Sequence, residues 1–122
     1  MMRERALALL PDAANDDGEF QIAARLWDGD VVLVSGDDAV RLTITSGRVV
    51  DAGPALKDTS AQIRIIGPAE GWAKLLQPLP PPFYQDLFAA AAHHGFQIDG
   101  AIEDAGAYYP ALRRLIELLR AE

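Results

Sequence analysis

The sequence predicts an α+β protein: about five strands in a mainly antiparallel sheet, covered on one face by helices, with a long C-terminal helix. Two patterns carry this. Residues 31–53 hold β-branched, period-two segments broken by Gly-Asp and Ser-Gly turns. From Pro68 onward the apolar spacing is mostly helical and ends in the stripe Tyr108, Leu112, Leu115, Ile116 and Leu119. Strands grouped before helices favour segregated layers over an alternating parallel sheet.

Each element follows in order. Met2, Ala6, Leu9 and Leu10 have helical spacing, and Pro11 stops the run. "DAANDDG" is an acidic, turn-rich connector, so residues 1–18 are expected to be an N-terminal helix and connector. In "EFQIAARLW", Phe20, Ile22, Ala24 and Leu26 alternate with more polar positions, which predicts a strand. "DGD" at 28–30 predicts a tight turn, "VVLVS" a second strand and "GDD" another turn. "AVRLTIT" places Val40, Leu42 and Ile44 inward and Arg41 and Thr43 outward; "SG" turns into "RVVDAG". Consecutive strands with short turns imply a meander. After "PALKDTS", the segment "AQIRIIG" alternates again through Ile63 and Ile65.

"PAEGWAKLL" then predicts a helix, with Pro68 in its first turn and Trp72, Leu75 and Leu76 on one face. "QPLPPPFYQ", 77–85, concentrates half of the eight prolines. It reads as a stiff connector rather than a linker, because elements on both sides are needed for one core. A helix is predicted from Phe83 through the alanine run to Gly95, followed by a short strand "FQIDG" that must re-enter the sheet. Pro110 is expected in the first turn of the last helix or at a bend.

At 122 residues the chain suits one domain, 1–122, with one core. A net charge of −7 disfavours nucleic acid and anionic lipid surfaces. There is no cysteine, which excludes disulfides, thiol catalysis and cysteine-ligated zinc and fits a cytoplasmic location. The N-terminal apolar run is too short for a signal peptide or a membrane span. No metal or cofactor motif is present.

Chemistry-bearing residues are sparse. His93 and His94 are adjacent, so they diverge by about 100° on a helix and cannot share a metal as an i, i+4 pair does; they read as helix-end residues. Most aspartates sit in turns. Asp99 lies between Ile98 and Gly100 but alternates away from Phe96 and Ile98. Asp104 is placed to cap or precede the last helix. No covalent catalysis is expected, and catalytic residues are none.

"AQIRIIGPAEGWAKLLQ", then an apolar helix, then "GFQIDGAIEDAGAYYPALRRLIELL", resembles the sterol carrier protein-2-like lipid-binding domain family. Leu75-Leu76 matches that family's leucine pair, "FQIDG" its strand with Gly100, and 102–119 its closing segment; "VRLTITSGRVVDAG" resembles its paired strands. The resemblance covers roughly residues 19–120. "PLPPP" departs from the family's usual turn, Ala101 replaces a polar residue after the strand glycine, and Pro110 intrudes on the last helix.

The resemblance implies a five-stranded sheet and helices enclosing an apolar tunnel that holds a sterol, fatty acid or other lipid without catalysis. The wall residues expected from the sheet are Leu42, Ile44, Ile63 and Ile65. Those from the helical side are Trp72, Leu75, Leu76, Tyr84, Leu87, Phe88 and Phe96, with Leu79, Phe83 and Tyr84 at the entrance. The same stripes would serve an ordinary core. The phosphates of an acyl-CoA would need Lys57, Lys74 or Arg64 at the mouth. The alternative is an accessory domain with a filled core, pairing with an enzyme or with itself through exposed Trp27 or Tyr108/Tyr109. A third reading, an acid–base enzyme using Asp99, Glu103 or the histidines, requires one of these groups inside a pocket.

Overall fold

The computed structural model describes residues 2–120; Met1, Ala121 and Glu122, at the ends of the expected domain, lie outside them. The elements are α1 (Met2–Leu9), α2 (Asp12–Asn15), α3 (Gly18–Ala24), β1 (Gly29–Ser35), β2 (Asp38–Thr45) and β3 (Arg48–Ala55). They continue with β4 (Ile63–Gly67), α4 (Ala69–Leu75), α5 (Leu87–His93), β5 (Gln97–Gly100), α6 (Ile102–Ala107) and α7 (Tyr109–Leu119). The strands form one five-stranded sheet in the order β3-β2-β1-β4-β5. Every pairing is antiparallel except β1 with β4.

The β-hairpin signals are met. β2 buries Val40, Leu42 and Ile44 and exposes Arg41. Ser46 and Gly47 both adopt left-handed φ, 50° and 76°, as a two-residue hairpin turn between right-twisted strands requires. The meander ends there. β4 returns to the other side of β1 and runs parallel to it, Leu33 beside Ile65. Parallel neighbours need a crossover, and 56–62 supplies it across the second face, where Ala61 packs on Val32, Val34 and Ala39.

Two expected elements differ. The segment 20–27 is not a strand: α3 runs Gly18–Ala24, so the stretch 1–18 also contains α2 and the start of α3. Asp17 caps α3 by accepting a hydrogen bond from the Phe20 amide at 2.7 Å. Phe20 and Ala24, one helical turn apart, are fully buried, while Ile22 is 67% and Leu26 77% exposed. "DGD" accordingly leads from a helix into β1 and is no hairpin turn. The second difference is α5, which starts at Leu87 rather than Phe83. Phe83 has φ 66°, outside the helical region, and Asp86 is the N-cap, accepting from Ala89 N at 3.4 Å.

The helices pack on the sheet face that carries Leu33, Leu42, Ile44, Ile63 and Ile65, and one buried cluster runs from Met2 to Leu119. α4 is seated by the Trp72 indole, which donates to the buried carbonyl of Val34 at 2.7 Å. α7 is joined to α3 by Arg114, which grips both carboxylate oxygens of Asp17 at 2.9 and 2.8 Å. Pro110 sits in the first turn of α7, and Tyr108 separates that helix from α6.

The proline segment folds back on the end of α5. Phe83 stacks on His93 at 4.0 Å and Tyr84 on His94 at 3.8 Å, and the His94 ring nitrogen lies 3.1 Å from the carbonyl of Pro82. Arg120 donates to the carbonyls of Leu75, Tyr84 and Gln85. The histidines thus hold a loop. Trp27 is fully buried rather than exposed; it stacks on Tyr108 at 4.9 Å and donates to Gln62 at 2.9 Å.

Candidate functional site

The edge of the sheet at β5 is where apolar side chains meet open space. Ile98 pairs with Ile65 and carries the helix-facing side of the sheet outward. α5 lies to one side of it and contributes Phe88 and Ala91; α6 lies to the other and contributes Ile102, Ala105 and Gly106. Between them is a groove of about 330 Å³ lined by these six residues. None of the six is ionisable. Phe88, 49% exposed, and Ile102, 64% exposed, are the bulky apolar residues at its mouth.

Both walls are fixed by polar contacts behind them. The Phe88 ring lies flat on Tyr109 of α7, 4.0 Å away and 2° from parallel. The Tyr109 hydroxyl donates to Asp86 and accepts from the Phe88 amide at 3.3 Å. Burial, and then the hydrogen bond to Asp86, push the Tyr109 hydroxyl up to about 12. On the opposite wall Gln62 holds α6 twice: its side chain donates to Asp104 at 3.1 Å, and its carbonyl accepts from Ala101 N at 2.8 Å. β5 ends at Gly100, with φ 98°, where a Cβ would stand 2.4 Å from the Gln62 carbonyl oxygen.

Of the thirteen wall residues expected from the sequence, Phe88 lines this groove. Leu42, Ile44, Ile63 and Ile65 on the sheet are buried in the main cluster, together with Trp72, Leu75, Leu76, Tyr84, Leu87 and Phe96. Phe96 packs edge-on to Trp72 at 5.3 Å and lies against Gly67, where a Cβ would come within 2.4 Å of its ring. Leu79 is 88% exposed in the proline loop, and Phe83 rests on His93. The other five, Ala91, Ile98, Ile102, Ala105 and Gly106, are not among the expected wall residues. The inward face of "FQIDG" marks Ile98; the small residues of "AIEDAGA" mark a void only once α6 is in place.

The chemistry-bearing residues lie elsewhere. Asp99 faces Arg64 at 3.5 Å, on the sheet face away from the helices. His93, His94, Glu103 and Asp104 do not line the groove. Lys57 pairs with Asp37, and Lys74 stands over the Tyr84 ring, so none of Lys57, Lys74 and Arg64 reaches the mouth. Among the described residues no group of three or more His, Asp or Glu could hold a metal ion, and no helix is long and apolar enough to cross a membrane. The groove can bury the apolar surface of a ligand, and its six lining residues offer no group for proton transfer.

This architecture is a sterol carrier protein 2-like fold, shared with several solved structures. The crystal structure of sterol carrier protein 2 superposes with a TM-score of 0.74 at 19% identity, over 98% of this chain and 93% of that one. A conserved hypothetical protein from Thermus thermophilus, suggested to be a sterol carrier protein, also gives 0.74, at 20% identity over 96% of this chain and 85% of that one. The UbiJ-SCP2 ubiquinone synthesis protein gives 0.60 at 16% identity, over 93% of this chain and 94% of that one. No protein-family model and no curated protein sequence matches the chain.

Proposed function

We propose that this protein binds an apolar ligand, a sterol, fatty acid or other lipid, without covalent chemistry, in the groove between α5, β5 and α6. The observation that carries the reading is the groove itself: about 330 Å³ with no ionisable group in its wall, on a fold shared with sterol carrier protein 2 and with a protein suggested to be a sterol carrier. Such sites hold ligands by removing apolar surface from water. Each buried methylene contributes about 0.8 kcal/mol, so a ten-carbon segment offers on the order of 8 kcal/mol before association costs. The lack of a basic residue in the wall favours a weakly charged ligand over an acyl-CoA. A chain without cysteine suits the cytoplasm as its working compartment.

Displacement of a fluorescent fatty acid tests this. The natural chain should bind the probe saturably. Ala91→Trp, which fills the groove from a helix position, should weaken binding at least tenfold at an unchanged melting temperature. Binding unaltered by Ala91→Trp, in a folded variant, would remove the groove from consideration.

A further inference from the structure

The outward side of α3 is apolar yet serves no core. Phe20 and Ala24 face the interior, and on the opposite side Ile22 is 67% and Leu26 77% exposed. Gly18, Ile22 and Leu26 form an i, i+4 row along that side. Leu26 also lines a groove of about 340 Å³ with Ala107 and Tyr108, which carries the apolar surface on toward α6 and α7. Within one copy nothing calls for glycine at 18: its backbone is not left-handed, and a Cβ would meet no atom within 4 Å.

Two opposite charges flank the row. At about 100° per residue, Glu19 lies about 60° to one side of Ile22 and Arg25 about 60° to the other. Arg25 caps the helix at φ −53°, still helical. Its guanidinium donates to the Ile22 carbonyl at 2.9 Å and, among the described residues, pairs with no carboxylate. The Glu19 side chain is 71% exposed and stands 3.7 Å from Arg114, which Asp17 holds more closely at 2.8 Å. Glu19 and Arg25 are on opposite sides of the row and are not i, i+3 or i, i+4 neighbours, so they do not pair along their own helix.

We infer that this face is a contact between two copies of the chain, related by a two-fold axis that lies along the row. Such an axis sets Ile22 on Ile22 and Leu26 on Leu26 of the second copy, lets the two helix starts approach at Gly18, and exchanges the two sides of the row. Arg25 of each copy then faces Glu19 of the other, and both ion pairs form together. Rows of this spacing are inclined by about 26° to their helix axes, so the helices cross at about 50°, the commonest packing angle. Each copy carries a net charge of −7, so general repulsion opposes the contact and the two ion pairs select its register. Two short helices bury less than the roughly 1,200 Å² of a stable interface, so the dimer is weak, with a dissociation constant on the order of 10 μM to 1 mM. None of these residues lines the groove between α5, β5 and α6, so the dimer and the apolar site stand or fall separately.

Sedimentation velocity over about 10 μM to 1 mM tests this, with a thermal melt of each variant as the folding control. The natural chain should pass from monomer to dimer across that range. Ile22→Asp changes an exposed residue and should stay monomeric at every concentration with an unchanged melting temperature. Arg25→Glu and Glu19→Arg should each weaken the dimer at least about tenfold, because each sets like charges together twice. The double variant carrying both reversals restores opposite charges and should return to within about threefold of the natural chain. A natural chain still monomeric at about 1 mM overturns the inference. So does a dimer that persists in folded Ile22→Asp, or a pair of charge reversals that fail to weaken the dimer singly or to compensate together.

Discussion

Removing the carboxylate of Asp17 tests the least expected element of the fold. Asp17 accepts from the Phe20 amide at 2.7 Å and grips Arg114 at 2.8 and 2.9 Å, so one side chain starts α3 and ties it to α7. Loss of an N-cap costs about 1 kcal/mol. Asp17 is 15% and Arg114 28% exposed at the side chain, so their pair exceeds an open surface bridge, at about 1–2 kcal/mol. Asp17→Ala should therefore cost about 2–3 kcal/mol, a fall of roughly 8–12 °C in melting temperature for a domain of this size. Asp17→Asn keeps a capping oxygen and should lose only about the pair.

The pH dependence follows from the same contacts. The hydrogen bonds from Arg114, aided by that from Phe20, hold the Asp17 carboxyl below its ordinary value. A depressed carboxyl adds stability above the ordinary carboxylate value and loses it as pH falls through the depressed one. The gap between natural chain and Asp17→Asn should thus be full at neutral pH and close in acid. Calorimetry and urea melts of the three proteins provide the test. If both variants melted within ~0.5 kcal/mol of the natural chain, as an ordinary surface change does, Asp17 would neither cap α3 nor hold α7.

Tyr109→Phe keeps the ring on Phe88 but loses the hydroxyl bond to Asp86, and should cost about 1 kcal/mol by chemical denaturation. In the natural chain, spectrophotometric titration should find one tyrosine ionising near about 12, and the stability this group adds should be intact below an ordinary tyrosine pKa of 10.0 and vanish as pH rises through its own. Gly100→Ala forces a Cβ to 2.4 Å from the Gln62 oxygen at φ 98° and should destabilise by about 2 kcal/mol or more, read as a lowered urea midpoint. Replacing Pro80, Pro81 and Pro82 with glycine should lower stability by about 1–2 kcal/mol by freeing the unfolded chain. It should change lipid affinity less than threefold, because this loop rests on His93, well around α5 from Phe88 and Ala91.

Much of the fold was legible where local pattern and tertiary role agree. In "AVRLTITSGRVV" the alternation, the Ser-Gly turn and the second strand all point one way, and β2 and β3 form as read. At 20–27 they do not. Phe20, Ile22, Ala24 and Leu26 satisfy a period of two, yet Phe20 and Ala24 alone also satisfy a helical turn, and Asp17 three residues before Phe20 is the capping signal that decides. At Phe83 the apolar spacing continues a helix backward past Asp86, the residue whose side chain starts it. The parallel pairing of β4 with β1 has no local signature, since it depends on residues 56–62 carrying the chain past β2 to the far side of β1 instead of turning it back beside β3.

The groove was harder to read for a different reason. Apolar periodicity identifies residues that fill space, and nearly all those expected in the wall do so in the buried cluster. A groove is bounded by what is missing. Ala91, Ala105 and Gly106 leave the volume, and they do so only once α5 and α6, which precede and follow β5 in the chain, are packed beside it. Trp27 shows the converse: an aromatic next to a turn reads as exposed until Tyr108 of a distant segment covers it.

The most direct test of apolar binding between α5, β5 and α6 is a nuclear magnetic resonance titration of the folded chain with a fatty alcohol, following assigned methyl groups. The account predicts saturable shifts at Ala91, Ile98, Ile102 and Ala105, with the methyls of Val32 and Val34 on the opposite face of the sheet unmoved. Saturable shifts that bypass these groove residues, or none at all, would contradict it.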